Sequence, residues 1–325
     1  MISPQRAVLT LATGKKLYFE MACNLARSFL WWHKQSNIDF YLATDTTEKL
    51  PRDLQQIKVL PLEKGVYGKG FLPKLHMDRI SPASETLFVD ADCLCAANLE
   101  HVFEKFSKWD VSVIGREETE GELFGDIRSR CKAVGVKWVP RFCGGMYYFK
   151  KGEISKQVFE KARELERRYD ELGLIRLRGV PNEEPLIGLA MAMSDQHPIP
   201  EDGSIKAEPM YFSARTEMDV FAGKARLFNK PDQPKLKPEW NIPEEAHPAV
   251  VHFNCTYAEQ PPYTAESVRL RKVLLDRWAL PLATLYAKLI YTIPFMFLEQ
   301  AKEMMRPLYH RVFGARKVRP SLRIS

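Results

Sequence analysis

Residues 85–94 read Glu85-Thr-Leu-Phe-Val-Asp-Ala-Asp-Cys-Leu94. Thr86 to Val89 is a short apolar run rich in β-preferring side chains, the composition of a buried strand. It stops abruptly in Asp90-Ala91-Asp92. Side chains alternate along an extended chain, so carboxylates at i and i+2 point the same way. Two anions at the mouth of an apolar strand repel each other and lose solvation, which is costly in a dry site unless a cation compensates. A hard divalent ion does so and accepts phosphate oxygens into the same coordination shell. The carboxyl end of a strand in an open α/β sheet is also where ligands bind. The plain alternative is an acidic turn closing a strand. The rest of the chain separates the two.

Upstream, Ala7 to Thr13 is an apolar run closed by Gly14, and Lys16 to His33 repeats apolar residues (Leu17, Met21, Leu25, Phe29, Trp32) near the 3.6 period of a helix. Two more strands are expected over 40–44 and 57–62, giving a βαβ start and a parallel sheet. Tyr67 to Pro73 is a glycine-punctuated loop before a short helix, Lys74 to Ile80. Downstream, Asp110 to Ile114 reads as a strand and Glu117 to Arg130 as a polar surface excursion. Phe142 to Phe149 reads as one strand with a Gly144-Gly145 step that lets the backbone approach something bulky. Lys156 to Leu172 is a charged amphipathic helix, and Asn182-Glu183-Glu184 opens another, where acids are ordinary first-turn residues. Residues 198–248 are proline-rich and irregular, with short strands expected near Met210 and Ala225. His252 sits in a late apolar run, Ala249 to Asn254.

With 325 residues the chain has length for one large or two modest domains. Charged residues at 27% and hydrophobics at 45% exclude a disordered or multispan chain. Six cysteines without Cys-x-x-Cys or zinc spacing, and an N-terminus without a signal-peptide core, point to free thiols and a cytoplasmic location. Net charge is +7, of which residues 300–325 carry +6: seven basic residues (Lys302, Arg306, Arg311, Arg316, Lys317, Arg319, Arg323) against Glu303. The body is therefore nearly neutral, and an anionic partner is expected for the tail.

Thr264 to Trp278 reads as a charged helix. Leu280 to Leu298 is apolar but broken by Pro281, Lys288 and Pro294, which argues against a simple bilayer span. Aromatics interleave with bases from Trp278 to Phe313. That mixture fits a helix lying in the membrane interface, with arginines on anionic headgroups. A helix packed on the body followed by a basic end is the competing reading. The expected division is a domain over 1–260 and a membrane-associating tail over 261–325, peripheral on the inner face of the membrane.

In order, these pieces resemble the GT-A nucleotide-sugar glycosyltransferases, most of all family 8, the group of glycogenin and the lipopolysaccharide glycosyltransferases. The resemblance spans Ala7 to Asn254. It comprises an opening strand ending in Ala12-Thr13-Gly14 with Tyr18 behind it, and Lys74-Leu-His-Met-Asp-Arg79 before Leu87-Phe-Val-Asp90-Ala91-Asp92. Phe142-Cys-Gly-Gly-Met146 then stands like the family's Phe-Asn-x-Gly, Asn182-Glu183-Glu184 in place of its Asp-Gln, and His252-Phe253 like its late His-Phe. The chain departs from the family at Cys143, where it has asparagine, and at Asn254-Cys-Thr-Tyr257, where it has Lys-Pro-Trp.

The resemblance implies an α/β GT-A fold, a mixed and mostly parallel sheet flanked by helices, with an amphipathic helical tail. It implies sugar transfer from a nucleoside diphosphate sugar, a UDP-sugar by expectation, to an acceptor hydroxyl on a lipid-linked or envelope glycan, with anomeric configuration retained. Asp90, Asp92 and His252 would hold the metal, and a histidine beside two carboxylates suits Mn²⁺ better than Mg²⁺. Ala12, Thr13, Tyr18, Lys74, Asp90, Ala91, Gly144 and Gly145 would bind the donor. Glu183 and Glu184 would bind sugar hydroxyls or stabilise charge at the anomeric carbon. Three rivals stay open: nucleotidyl transfer, which calls for a glycine-rich loop that Ala12-Thr-Gly14 is not; a non-catalytic membrane-associated scaffold; and nucleic-acid binding by the tail, against which its aromatics sit among aliphatics.

Overall fold

Strands buried on both faces tolerate continuous apolar runs, and the first such runs lie side by side. They are β1 (Arg6–Ala12), β2 (Ile38–Thr44) and β4 (Glu85–Val89), joined at the edge by the largely exposed β3 (Lys58–Pro61), all parallel, in the order β3-β2-β1-β4. The computed structural model describes residues 5–231, 233, 240 and 242–314. After β4 come β5 (Cys93–Cys95), β6 (Val111–Ser112), β7 (Gly115–Glu118), β8 (Val139–Phe142) and β9 (Met146–Lys150). β9 runs antiparallel against β4, and β6 antiparallel against β9, completing a six-stranded, mostly parallel sheet.

Helices cover both faces: α1 (Lys16–Trp32), α2 (Met77–Ile80), α3 (Glu100–Phe106), α4 (Ile127–Val134), α5 (Glu153–Arg167) and α6 (Glu183–Ala192). The pleat sorts the core. Val8, Leu42, Leu87 and Met146 pack with Leu25 and Phe29 of α1 and Phe103 of α3. Their neighbours Ala7, Leu9, Phe88 and Tyr147 pack with Phe159 of α5 and Leu186 of α6.

A second, small sheet stands at the carboxyl edge of the first. It joins β10 (Lys206–Ala207), β5 and a late strand in the order β10-late strand-β5, beside a meander of β11 (Glu217–Asp219), β12 (Lys224–Phe228) and β13 (Glu245–Ala246). The late strand is β14 (Val250–His252), antiparallel to β5 with His252 opposite Cys93. α7 (Tyr263–Leu274) then returns to the body, seating Tyr263 and Leu270 in the core with α1. Beyond it α8 (Leu280–Ala287), a wide turn over Lys288–Thr292 and α9 (Ile293–Phe313) form one continuous 34-residue helix.

Several expectations are corrected. Residues 142–149 are not one strand: the chain leaves β8 in one ribbon and enters β9 in the main sheet, turning at Cys143–Gly145. Residues 117–130 are not simply an excursion. Asp126 caps α4 by accepting from the Ser129 N–H at 2.8 Å, and Gly135 at φ 76° closes it, so capping overrides the charged composition. Met210 lies in a 3₁₀ turn, not a strand, because Pro209 fixes φ and removes a ladder donor. The 74–80 segment begins two residues earlier, as a 3₁₀ turn over Leu72–His76 with Pro73 near its start, and becomes α-helical only at Met77. Pro281 and Pro294 do not break the tail helix. Pro281 lies in the first turn, where its missing N–H is harmless. Pro294 follows a π turn in which the Ile293 N–H reaches back to the Lys288 carbonyl.

Candidate active site

Three chain segments meet where β4 ends. β9 enters the sheet beside the exit of β4, with Met146 opposite Val89, so the turn before it lies against Asp90. The Asp90 N–H donates to the Gly145 carbonyl at 3.0 Å, and the Cys93 N–H donates back to the Asp90 carbonyl at 3.1 Å, which curls Asp90-Ala91-Asp92 into a turn. β14 closes the third side, and the Phe253 N–H donates to the Asp92 carbonyl at 3.0 Å. His252 Nε2 consequently lies 3.3 Å from Asp92 Oδ1 and 3.8 Å from Asp90 Oδ2. Sequence positions 90, 92 and 252 form one cluster, with Asp92 and His252 each only 4% exposed.

Both glycines of the turn are required by close approach. A Cβ on Gly145 would lie 2.4 Å from His252 Nδ1 and 2.6 Å from Cε1, and one on Gly144 would sit 2.6 Å from the Tyr147 hydroxyl and 2.8 Å from Glu184. The Gly144 N–H donates to Glu184 Oε1 at 2.7 Å. Glu184 is delivered by the start of α6, where the Asn182 side chain caps the helix by accepting from the Glu184 N–H at 2.8 Å. Burial, reinforced by the neighbouring charge of Glu183, pushes the Glu184 carboxyl up to about 7.

Lys74 ties the floor together. Its ammonium donates to Asp90 Oδ2 and to the Gly144 carbonyl, each at 2.9 Å, and pairs with Glu183 Oε1 at 2.9 Å. Burial opposes that charge, but Asp90 and Glu183 outweigh it and hold Lys74 above the usual lysine range. The three acceptors match its three N–H groups. Glu183 is raised by its own burial, against the pull of Lys74, and its Oε2 has no hydrogen-bond partner.

Ala12, Thr13 and Tyr18 stand at the same carboxyl edge, at the exit of β1 and the first turn of α1. The Gly14 N–H is held by Asp45 Oδ1 at 2.9 Å and the Ala12 carbonyl by the Thr44 hydroxyl at 2.6 Å. Ala91 is buried between the two aspartates. The residues that sequence reasoning missed lie behind His252. Its Nδ1 is 3.4 Å from Glu208 Oε1 and 3.7 Å from Cys143 Sγ, and Glu208 is ion-paired with Lys206. Both Lys206 and Glu208 are buried. In the sequence they are a Lys-x-Glu within a proline-rich tract, indistinguishable from a solvated pair.

No family model and no curated protein matches the chain. Solved structures do. The galactosyltransferase LgtC, in complex with donor and acceptor sugar analogues, aligns over 86% of this chain and 95% of its own at 11% identity, with a TM-score of 0.51. Mouse xyloside xylosyltransferase 1, in its apo form, aligns over 78% of this chain and 98% of its own at 12% identity and TM-score 0.48. The glycosyltransferase GlyE of Streptococcus pneumoniae TIGR4 aligns over 61% of this chain at 15% identity and TM-score 0.40, and the chain spans 45% of its length. At such identities the likeness speaks to fold. Strand order, flanking helices and the LgtC alignment agree that the chain has the GT-A glycosyltransferase fold.

Proposed function

We propose that the protein is a metal-dependent, family-8-like glycosyltransferase that moves a sugar from a UDP-sugar to an acceptor hydroxyl, with retention of configuration. The observation that carries this reading is the meeting of Asp90, Asp92 and His252 with the Gly144–Gly145 turn and the α6 acids at one sheet edge. The residues fit a divalent ion. Among the described residues, the side chains whose ligand atoms all lie within 4.8 Å of one another are Asp92, Cys93 and His252, and Cys143, Glu208 and His252. Asp92 Oδ1 and His252 Nε2, 3.3 Å apart, can share one coordination shell of roughly 2.1 Å radius. Asp90 Oδ2, 3.8 Å from the same nitrogen, would turn from Lys74 to join them, and two carboxylates with an imidazole would favour Mn²⁺ over Mg²⁺. When bound, such an ion neutralises charge building on a diphosphate leaving group as a Lewis acid.

The chain's own residues do the rest. Asp90, Asp92 and His252 would hold the ion, with Asp90 also shared with Lys74. The edge formed by Ala12, Thr13, Tyr18 and Ala91 would take the nucleotide, and the bare backbone of Gly144 and Gly145 would let the donor sugar approach. Glu183 and Glu184 would bind sugar hydroxyls or stabilise positive charge at the anomeric carbon. One observation favours the scaffold reading: the Lys74 ammonium already answers part of the Asp90 charge. Donor hydrolysis separates the two. The wild type is expected to hydrolyse a UDP-sugar in the presence of Mn²⁺, and Asp90→Asn to abolish that hydrolysis. No hydrolysis by the wild type would remove the enzymatic reading, and equal turnover by both proteins would remove Asp90 from the metal site.

The division into a body over 1–260 and a tail over 261–325 is kept as part of this proposal, with α7 as the joint. The tail helix would lie on an anionic membrane surface on the cytoplasmic side, bringing the site to a lipid-linked or envelope glycan. Its apolar side chains support this: Leu282, Leu285, Phe297, Met304 and Phe313 are more than half exposed, while Ala283 and Ala287 alone are buried. Lys302, Arg306 and Arg311 are exposed on the same helix. The remaining bases, Arg316, Lys317, Arg319 and Arg323, lie outside the described residues.

A further inference from the structure

We propose that Lys206 and Glu208 form a buried positioning relay that keeps a proton on His252 Nδ1, so that Nε2 is the nitrogen offered to the Asp90–Asp92 pair. The inference rests on the metal-site reading above and deepens it.

Three facts place the relay. β10 runs parallel to β14 with Lys206 opposite Val250 and Ala207 opposite Val251, so one further step in that register brings Glu208 beside His252. Residues at i and i+2 share a face of a strand, which puts the Lys206 ammonium on the Glu208 carboxylate. Finally, the imidazole is set with Nδ1 3.4 Å from Glu208 Oε1 and Nε2 3.3 Å from Asp92 Oδ1. The ring therefore bridges two acidic environments, one open to Asp90 and Asp92 and one sealed.

The chemistry of the sealed side decides the proton. Cys143 Sγ also faces Nδ1, at 3.7 Å. The thiol is therefore a rival donor to a bare Nδ1. A carboxylate accepting from Nδ1–H makes the stronger, charge-assisted bond. Lys206 and Glu208 are ion-paired and both buried, so the carboxylate is held in place as an acceptor facing the ring. A buried lysine–glutamate pair is weak as a source of stability. Here it supplies what metal-binding histidines generally require, an acceptor on the second nitrogen that fixes tautomer and ring angle.

The test uses the full-length protein labelled with ¹⁵N-histidine, and Mn²⁺ alone as the ligand. In the metal-free wild type, His252 is expected to show an exchange-protected, downfield Nδ1 proton. A His252 Nδ1 that carries no proton would overturn the relay, and this measurement needs no variant. In Glu208→Gln the amide can turn its NH₂ toward the ring. That resonance is then expected to disappear, and the Mn²⁺ Kd, read from the free-ion EPR signal, to rise about 10- to 100-fold. Unchanged Nδ1 proton and Kd in a folded Glu208→Gln protein would equally refute it. A protected Nδ1 proton that Glu208→Gln removes, in a protein binding no Mn²⁺ at all, would support the relay and defeat the metal reading instead.

Discussion

Glu184 is the residue whose environment makes the clearest physical demand. Its folded-state pKa of about 7 lies above the ordinary 4.5, chiefly through burial. Between those values the folded protein binds more protons than the unfolded chain, so Glu184 makes stability fall as pH rises from about 4.5 to 7. Glu184→Gln keeps an oxygen for the Gly144 N–H and removes the ionisation. The melting temperature of the variant minus that of wild type should therefore grow from pH 5 to pH 8, and a constant difference would show that Glu184 is not held protonated by burial. At this scale the sequence was legible where spacing carried the message. Asp90 and Asp92 were legible as a pair closing an apolar strand, but they lie in the turn beyond β4 rather than alternating along it, and it is that turn with β14 that brings both carboxylates to His252. Lys74 looked like a helix lysine free to reach a phosphate, and nothing local to it announces Asp90, Gly144 and Glu183 as partners. Lys206 and Glu208 were illegible for the same reason: whether a polar pair is solvated or buried is settled by β14 and β5, which arrive from elsewhere in the chain.

Two short elements, rather than the long helices, position the site. The first is the Cys143–Gly145 turn, which carries the chain from the β7–β8 ribbon to the main sheet. Gly145→Ala would drive a methyl against the His252 ring. It is expected to abolish Mn²⁺ binding, measured by titration calorimetry, while a variant that still binds with wild-type affinity would detach the turn from the metal site. The second is the first turn of α6, fixed by its Asn182 cap. Asn182→Ala should cost about 1 kcal/mol in denaturant unfolding and loosen both glutamates; no loss of stability would mean the cap is replaced by water. The sequence showed that glycines permit a close approach at 144–145, but not that the chain changes sheets there. An apolar run looks the same whether one sheet or two receive it. The 3₁₀ turn at Pro209–Tyr211 likewise followed from backbone chemistry that a coarse apolar pattern does not resolve.

At the scale of the whole molecule, a mostly parallel sheet flanked by helices was readable because β1, β2 and β4 are apolar and α1 keeps its period over seventeen residues, while the order of the strands was not. The tail was readable as amphipathic and basic, though not as an unbroken helix, since the π turn that accommodates Pro294 is a local adjustment without a sequence signature. Removing 280–325 should leave donor hydrolysis largely intact and abolish sedimentation with anionic liposomes; sedimentation equal to that of the full chain would place membrane binding elsewhere. The central claim, a divalent ion and a nucleoside diphosphate bound together at the end of β4, is tested most directly by thermal stability with UDP, with and without Mn²⁺, in wild type and Asp92→Ala. A ligand at about a hundredfold its dissociation constant adds roughly 2.7 kcal/mol. The account predicts a raised melting temperature that requires Mn²⁺ and vanishes in Asp92→Ala. A wild-type protein whose melting temperature is unmoved by UDP, UDP-sugars and other nucleoside diphosphates with Mn²⁺ would contradict it.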